Sequence, residues 1–197
     1  MIKNKKEKIN YLLKTWFLNV QMTRTLQNVL GSGINNIQVV KGFELALKVV
    51  INNLYPLIHF LSKHTMTQSK SLIDLICYDF PGNKYRFCLI YNLLSIKFNY
   101  RIRVISKISE LTTVFSVMGL FKSANWSERE VFDFFGIFFF GNKDLRRILT
   151  DYGFKGFPLR KDFPVTGYID VYYDDNQKRI CYRKLELSQE YRNFHFG

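Results

Sequence analysis

Three carboxylates that lie close together in the chain, Glu128, Glu130 and Asp133, are the first candidates for acid–base chemistry. Such chemistry needs carboxyl groups that converge on a cleft and have separated pKa values. Both glutamates follow an Asn or Ser by three residues, which is the spacing of a helix capping box. Asp133 follows Arg129 by four residues, the spacing of an ion pair across one helical turn. The spacing therefore favours a structural role over catalysis.

The remaining reactive side chains form no recognisable catalytic or metal-binding motif. His59 and His64 are five residues apart and lack the Glu of the zinc-binding helix motif. The Gly-Ser-Gly at 31–33 lacks the third glycine of the dinucleotide fingerprint, and neither a phosphate loop nor a serine nucleophile elbow occurs. No Cys-x-x-Cys pair is formed by the three cysteines, Cys77, Cys88 and Cys181. We therefore expect this chain to bind no metal or cofactor and to hold no catalytic residue.

The elements that would position these residues follow from periodicity. Apolar residues recur at three- and four-residue steps over 43–61 and line one side of 125–136, which predicts two helices. Apolar and polar side chains alternate with a two-residue period over 85–91 and 101–104, which predicts a hairpin. A further strand is predicted over 72–78. The order of helices and strands indicates an α+β fold: a small two-layer domain with a mainly antiparallel sheet and flanking helices.

We divide the chain into three parts. Residues 1–35 form an amphipathic N-terminal helical extension, residues 36–141 the α+β domain, and residues 142–197 an extended C-terminal arm with a short hairpin. The arm combines Gly and Pro with aromatic residues that follow no regular period. Long irregular segments with aromatic anchors favour docking on a partner. We expect truncation after Gly141 to leave a folded domain that no longer assembles.

The charge introduces another functional class. The 197 residues include 29 Lys and Arg against 16 Asp and Glu, a net charge of +13, which is typical of proteins that bind nucleic acid or anionic membranes. Residues 1–122 hold 17 basic and 5 acidic residues, whereas residues 123–197 hold 12 and 11. Arg101 and Arg103 share one face of a strand, but no RNA-binding signature or zinc finger accompanies them. A basic organellar RNA-binding or ribosomal protein is the alternative to an assembly role.

Long strings in the second half of the chain resemble the 30-kDa subunit family of respiratory complex I, the NADH:ubiquinone oxidoreductase. The longest is Ser-Ala-Asn-Trp-Ser-Glu-Arg-Glu-Val-Phe-Asp-Phe-Phe-Gly-Ile at 123–137. The resemblance continues through 144–154, 158–164, 167–168 and 186–194. Three residues depart from the family pattern, which usually has His, Pro and His at the positions of Asn142, Lys143 and Phe157.

The resemblance implies a non-catalytic core structural subunit of the peripheral arm of complex I. Such a subunit supports electron transfer from NADH to ubiquinone by docking on the 49-kDa-type subunit near the quinone site. FMN, iron–sulfur clusters, NADH and ubiquinone would be bound by other subunits of this hetero-oligomer, on the matrix side of the mitochondrial inner membrane. We expect neither a nucleic-acid partner nor a transmembrane segment. The 19 Phe against 2 Ala indicate an AT-rich genome and favour the mitochondrially encoded type.

The resemblance also singles out residues of the family signature as candidates for partner contacts. They are Trp126, Glu128, Arg129, Glu130, Asp133, Gly136, Asp144, Arg146, Arg147, Asp151, Tyr152, Phe154, Arg160, Asp162, Phe163 and Tyr168.

Overall fold

The computed structural model describes residues 23, 34–40, 44–192 and 194. The expected N-terminal helix of residues 1–35 lies almost wholly outside them. Two helices are described, α1 (Ile51–Lys63) and α2 (Ala124–Phe135). The strands are β1 (Ile34–Val40), β2 (Glu44–Val49), β3 (Ser71–Asp79), β4 (Phe87–Ser95), β5 (Tyr100–Ile108), β6 (Val114–Phe115), β7 (Phe139–Phe140), β8 (Ile169–Asp174) and β9 (Arg179–Lys184).

Five strands form one sheet in the order β1-β2-β5-β4-β3. Only the central β2–β5 pair is parallel, and its neighbours on both sides are antiparallel. The expected hairpin is confirmed as β4 and β5, paired from Phe87 with Ile108 to Ser95 with Tyr100. The two-residue strands β6 and β7 pair in parallel beside this sheet, and β8 with β9 forms a separate antiparallel hairpin.

One face of the five-stranded sheet is covered by both described helices. Alternate residues of β4 and β5 are fully buried there, among them Leu89, Tyr91 and Val104, because successive side chains of a strand point to opposite faces. They join apolar side chains of α1 and α2 in a single core. The predicted α+β, two-layer architecture is confirmed. Among the residues that the structure describes, no helix is long and apolar enough to cross a bilayer.

The helix predicted over 43–61 is wrong in its first half. Residues 45–49 lie in β2 and pair with β5, and the helix begins only at Ile51. The segment also satisfies strand periodicity, since Leu45, Leu47 and Val49 are buried whereas Lys48 is exposed. Pairing in the middle of a sheet therefore overrides a helical spacing that the sequence also permits. The helix continues past Pro56 to Lys63.

A carboxylate clasp and an exposed hairpin as the candidate functional site

Helix α2 confirms the prediction over 125–136 and presents two carboxylates to the protein interior. Its buried residues include Glu128 and Asp133, both with no exposed surface. Ionised groups are rarely placed there unless they are hydrogen-bonded or paired. The surroundings of the two side chains therefore show what the helix holds in place.

Glu128 joins two segments of the chain that meet behind α2. Ser116 Oγ and Asn142 Nδ2 donate to its Oε2 at 2.6 and 2.8 Å, and the backbone N–H of Val117 donates to Oε1 at 2.8 Å. Burial raises the pKa of this carboxyl, because these neutral donors only partly offset the loss of water. Glu128 thus fixes the loop before α2 and the start of the C-terminal segment, with Asn142 as a direct hydrogen-bond donor.

Asp133 accepts hydrogen bonds from a whole turn of the C-terminal segment. Its Oδ2 accepts the backbone N–H groups of Ile148, Leu149 and Thr150 at 2.8–3.1 Å. Its Oδ1 accepts Thr150 Oγ1 at 2.6 Å and Arg147 Nη1 at 3.0 Å. Burial alone would raise the pKa of Asp133, but the bonds from Thr150, Leu149 and Arg147 outweigh it and lower the pKa to about 2. The carboxylate therefore stays ionised and keeps the segment against α2.

The local pairings expected from spacing are not formed. Arg129 donates to the carbonyl of Arg146 at 3.2 Å and lies 3.9 Å from Asp144, whereas Asp133 pairs with the segment that follows. Helix α2 begins after Ser123 with no side-chain cap, so both predicted capping boxes are also wrong. An exposed pair across one turn gains only about 0.2–0.5 kcal/mol. Leaving a buried carboxylate without hydrogen-bond donors costs much more free energy than this. Asp133 therefore pairs with the C-terminal segment and not with Arg129.

Asp79, at the end of β3, forms the second anchor of the same segment. Arg86 Nε and Nη2 donate to its two oxygens at 2.8 and 2.9 Å, and the backbone N–H of Lys161 donates at 2.8 Å. Arg86 also lies 2.9 Å from Asp162 and 3.5 Å from Glu110. The hydrogen bond from Arg86 is the main reason that the pKa of Asp79 lies below its usual value. We call Glu128, Asp133 and Asp79, with their donors from residues 142–161, the clasp.

The end of α2 contacts the clasp directly. Gly136 terminates the helix with a φ of +76°, as predicted, and a Cβ there would lie 2.6 Å from the ring of Phe157. Two guanidinium groups lie over that ring, that of Arg160 at 4.5 Å and that of Arg147 at 5.1 Å from its centroid. Arg160 Nε in turn donates to the carbonyl of Phe135 at 2.7 Å. Only glycine combines this backbone conformation with so close an approach.

Beyond the clasp, the predicted hairpin is confirmed as β8 and β9, and its two faces differ. On one face Arg183 pairs with Asp170 at 2.8 Å and lies over the ring of Tyr172. The other face has five apolar or aromatic side chains that are 44–62% exposed, with Lys184 at its edge opposite Ile169: Ile169, Val171, Tyr173, Ile180 and Tyr182. We call this the apolar hairpin face. Exposed apolar surfaces of this kind mark interaction sites.

The sequence-derived candidates divide into clasp residues and surface residues. Arg129 is buried, Glu130 is half-buried, and Asp162 reaches the clasp through Arg86. Phe154, Phe163 and Tyr168 pack on one another, with neighbouring ring centroids 5.3–6.0 Å apart. The exposed candidates are Trp126, Asp144, Arg146, Asp151, Tyr152, Asp162 and Tyr168. The candidates chosen from the sequence do not include Asp79, Arg86 and Glu110. Asp79 accepts a hydrogen bond from Lys161, which is 82 positions later in the chain, and no local pattern predicts such a pairing.

These features define a class of protein: a small α+β domain that fastens its own C-terminal segment and presents an apolar hairpin at the end of it. Within the described ranges, no three His, Cys, Asp or Glu side chains are grouped to hold a metal ion. Burial raises the pKa of the Cys77 thiol, so that it is neutral at physiological pH.

Comparison with known proteins gives the family. Residues 47–169 match the model of the respiratory-chain NADH dehydrogenase 30 Kd subunit. The chain belongs to this family, the 30-kDa subunit of respiratory complex I, and the resemblance seen in the sequence is confirmed.

Relatives from distant organisms agree. NADH-ubiquinone oxidoreductase subunit 9 of Reclinomonas americana is 56% identical over 153 residues, which cover 78% of this chain and 75% of that protein. NADH dehydrogenase (ubiquinone) iron-sulfur protein 3 of Oryza sativa subsp. japonica is 53% identical over 144 residues, 73% of this chain and 76% of that protein. The probable NADH-ubiquinone oxidoreductase 30.4 kDa subunit of Candida maltosa, described as mitochondrial, is 50% identical over 154 residues, 78% of this chain and 56% of that protein.

Solved structures share the fold. A trypsin-resistant fragment of Nqo5 superposes with a TM-score of 0.53 at 25% identity, covering 63% of this chain and 98% of the fragment. A chain of an archaeal membrane-bound sulfane sulfur reductase gives a TM-score of 0.64 at 20% identity, with 73% and 84% covered, and shows the fold alone.

Proposed function

We propose that this chain is a non-catalytic structural subunit in the peripheral arm of complex I. It docks on the 49-kDa-type subunit near the quinone site through its C-terminal segment, residues 142–197, and so supports electron transfer from NADH to ubiquinone. FMN, the iron–sulfur clusters, NADH and ubiquinone are bound by other subunits. The family match supports the membership, and relatives described as mitochondrial support a place on the matrix side of the inner membrane.

The observation that carries the docking role is the apolar hairpin face. A two-stranded hairpin on its own is marginally stable in water, and a third surface is needed to bury its apolar side. Five side chains lie there, each 44–62% exposed. Their burial against a partner gains on the order of 1 kcal/mol or more per side chain. The hairpin is thus a surface that gains stability from a partner.

The clasp supports the same role by limiting the entropy lost on docking. Docking a free segment loses conformational entropy that a pre-ordered segment has already lost on folding. The buried carboxylates of Asp133 and Asp79 accept hydrogen bonds from residues 147–150 and from Lys161, so the hairpin leaves the domain from a fixed point. A rigid start and an apolar end together suit assembly into a permanent complex.

The charge of this half of the chain argues against the RNA-binding alternative for the docking segment. Residues 123–197 hold 12 basic and 11 acidic residues, and several are paired with one another, as in Arg183 with Asp170. A surface that binds phosphates needs unpaired cations along a groove. The docking segment itself, residues 142–197, holds 11 basic and 8 acidic residues, and this mixed charge fits a protein surface better.

Membership is tested by native electrophoresis of membrane extracts with detection of this chain. We expect it to migrate with an NADH-oxidising assembly of the size of complex I. Migration with ribosomes instead would support the alternative class and contradict the proposal.

The docking role is tested by substitutions on the apolar hairpin face and a control substitution on the opposite face of the same hairpin. Ile180→Asp with Tyr182→Asp alters the apolar hairpin face at two exposed positions, whereas Tyr172→Asp alters the opposite face. We expect the double variant to fold normally and to be absent from the assembled complex, and Tyr172→Asp to assemble. A chain ended after Gly167, which keeps the clasp, should behave like the double variant. Normal assembly of either altered chain would contradict docking through this hairpin.

A further inference from the structure

The face of the five-stranded sheet opposite α1 and α2 has a regular chemical pattern of its own. Ile76, Ile90 and Ile105 lie in one row across β3, β4 and β5, and Lys48 of β2 continues that row. Their strand neighbours, such as Leu89 and Val104, are fully buried on the helical side, so the isoleucines point to the other side. They are only half-buried there.

The cations of this face are on one half of it. Arg101 and Lys107 lie on β5 and Lys48 on β2, and all three are exposed. Arg103 lies among them on β5 and is half-buried. A cavity of about 200 Å³ opens beside Arg101 and Arg103, with Ile73 at its rim.

The other half of this face is mainly apolar. Its apolar and aromatic side chains are Ile73, Ile76 and Tyr78 of β3 and Cys88, Ile90 and Leu94 of β4, and Asn92 of β4 lies among them. Asp74 is the one carboxylate among the side chains that the structure describes on this face, and it accepts the backbone N–H of Leu75. The face is therefore amphipathic across the strands: mainly apolar over β3 and β4, and cationic at Arg101, Arg103 and Lys107 of β5 and at Lys48 of β2.

We propose that this amphipathic sheet face binds an acidic amphipathic segment of another protein subunit. From Arg101 to Lys107 the strand extends roughly 20 Å, which matches about 13 residues of helix. Such a segment, lying parallel to the strands, places its apolar stripe over β3 and β4 and its Asp and Glu side chains along β5. Complementary charges fix its register and its orientation.

The charge of this face favours an acidic segment over two other possible occupants, which are the N-terminal residues of this chain and a second copy of the chain. Residues 1–33 of the chain hold six basic residues and one acidic residue, so their sign repels β5. A second copy of the chain would bring the same cationic face and is disfavoured for the same reason. RNA fits the cations, but RNA-binding sheets place aromatic rings beside them for stacking. Here the central row is isoleucine.

The test uses a photo-crosslinking amino acid, benzoylphenylalanine, in place of the exposed Arg101. The full chain is assembled into its native membrane complex and irradiated, and the linked peptide is identified by mass spectrometry. We expect a peptide from another subunit with Asp or Glu along one side of an apolar stripe. A link to residues 1–33 of the same chain, a link to RNA, or no link would overturn the proposal.

Charge reversal on the same face supplies the matched comparison. Lys48→Glu with Lys107→Glu should lower the yield of that cross-link about tenfold, since two favourable contacts become repulsive. Lys63→Glu with Lys122→Glu makes the same change of charge at exposed positions on the helical layer and should leave the yield unchanged. An equal loss in both double variants, or none in the first, would overturn the proposal. The cross-link in the otherwise unaltered chain needs no reversed charge, so it is informative whether or not the double variants fold.

Discussion

Asp133→Asn is the sharpest test of the clasp, because it keeps the shape of the side chain and removes only its charge. The carboxylate accepts five hydrogen bonds, three of them from consecutive backbone N–H groups on one oxygen. In the variant one of the two oxygens is replaced by an N–H₂ group, which must face either the three backbone donors or Arg147. Either orientation sets donor against donor.

The magnitude follows from the pKa. Asp133 has a pKa of about 2 in the folded chain against 3.8 when unperturbed, so the charged form is favoured by roughly 2–3 kcal/mol. Donors left without an acceptor add to this loss, and we expect the variant to lose about 3 kcal/mol of unfolding free energy. Urea denaturation of the full chain at neutral pH measures it.

The same experiment has a pH signature with a defined sign. Because folding lowers the pKa of Asp133, its contribution is present above the unfolded pKa and is lost as the pH falls from about 5 to about 2. The difference between wild type and Asp133→Asn should therefore shrink over this interval. Asp151→Asn, at an exposed carboxylate of the same segment, should change the stability by less than about 0.5 kcal/mol. A loss below about 1 kcal/mol in Asp133→Asn, or a difference that does not vary with pH, would refute the role given to the clasp.

Three further results are expected from denaturation of the full chain. Glu128→Gln should cost at least about 1 kcal/mol less than Asp133→Asn at neutral pH, because burial already raises the pKa of Glu128 and disfavours its charge; an equal loss would contradict that difference. Gly136→Ala should cost about 2 kcal/mol or more through its positive φ and its contact with Phe157, whereas Gly82→Ala, in open space, should be nearly neutral; similar melting temperatures for the two would argue against it. A chain ended after Gly141 should be markedly less stable than one ended after Gly167, since it lacks every donor that Asp133 takes from 147–150; equal urea midpoints would show that the domain does not need the clasp.

The low stability expected for a chain ended after Gly141 revises the domain boundary that the sequence predicts. Composition alone places the boundary of the independent domain at Gly141, because the residues beyond it are irregular and rich in turns. The structure gives buried carboxylates of the domain their donors from beyond that point, at 142, 147–150 and 161. Polar side chains that are satisfied only at long range leave no periodic signal.

The parts of the fold that sequence predicts are those governed by neighbours along the chain. Helix α2, its end at Gly136, the β4–β5 hairpin and the β8–β9 hairpin all follow from local period and turn chemistry. The register of β2 does not, because its partner β5 comes more than fifty residues later and local spacing there also fits a helix. The choice of Arg147 over Arg129 as the partner of Asp133 is equally beyond local reasoning, since it depends on which donor is brought into the interior.

The bond from Lys161 to Asp79 has a consequence for synthesis. A nascent chain emerges from the ribosome N-terminus first, so β3 is made long before the backbone group that satisfies its last carboxylate. The domain therefore reaches its final stability only when residue 161 has left the exit tunnel, and β8 and β9 follow immediately. The apolar hairpin face is therefore translated only after residue 161, which completes the clasp. A nascent chain that stops before β8 therefore lacks the surface that we propose for docking.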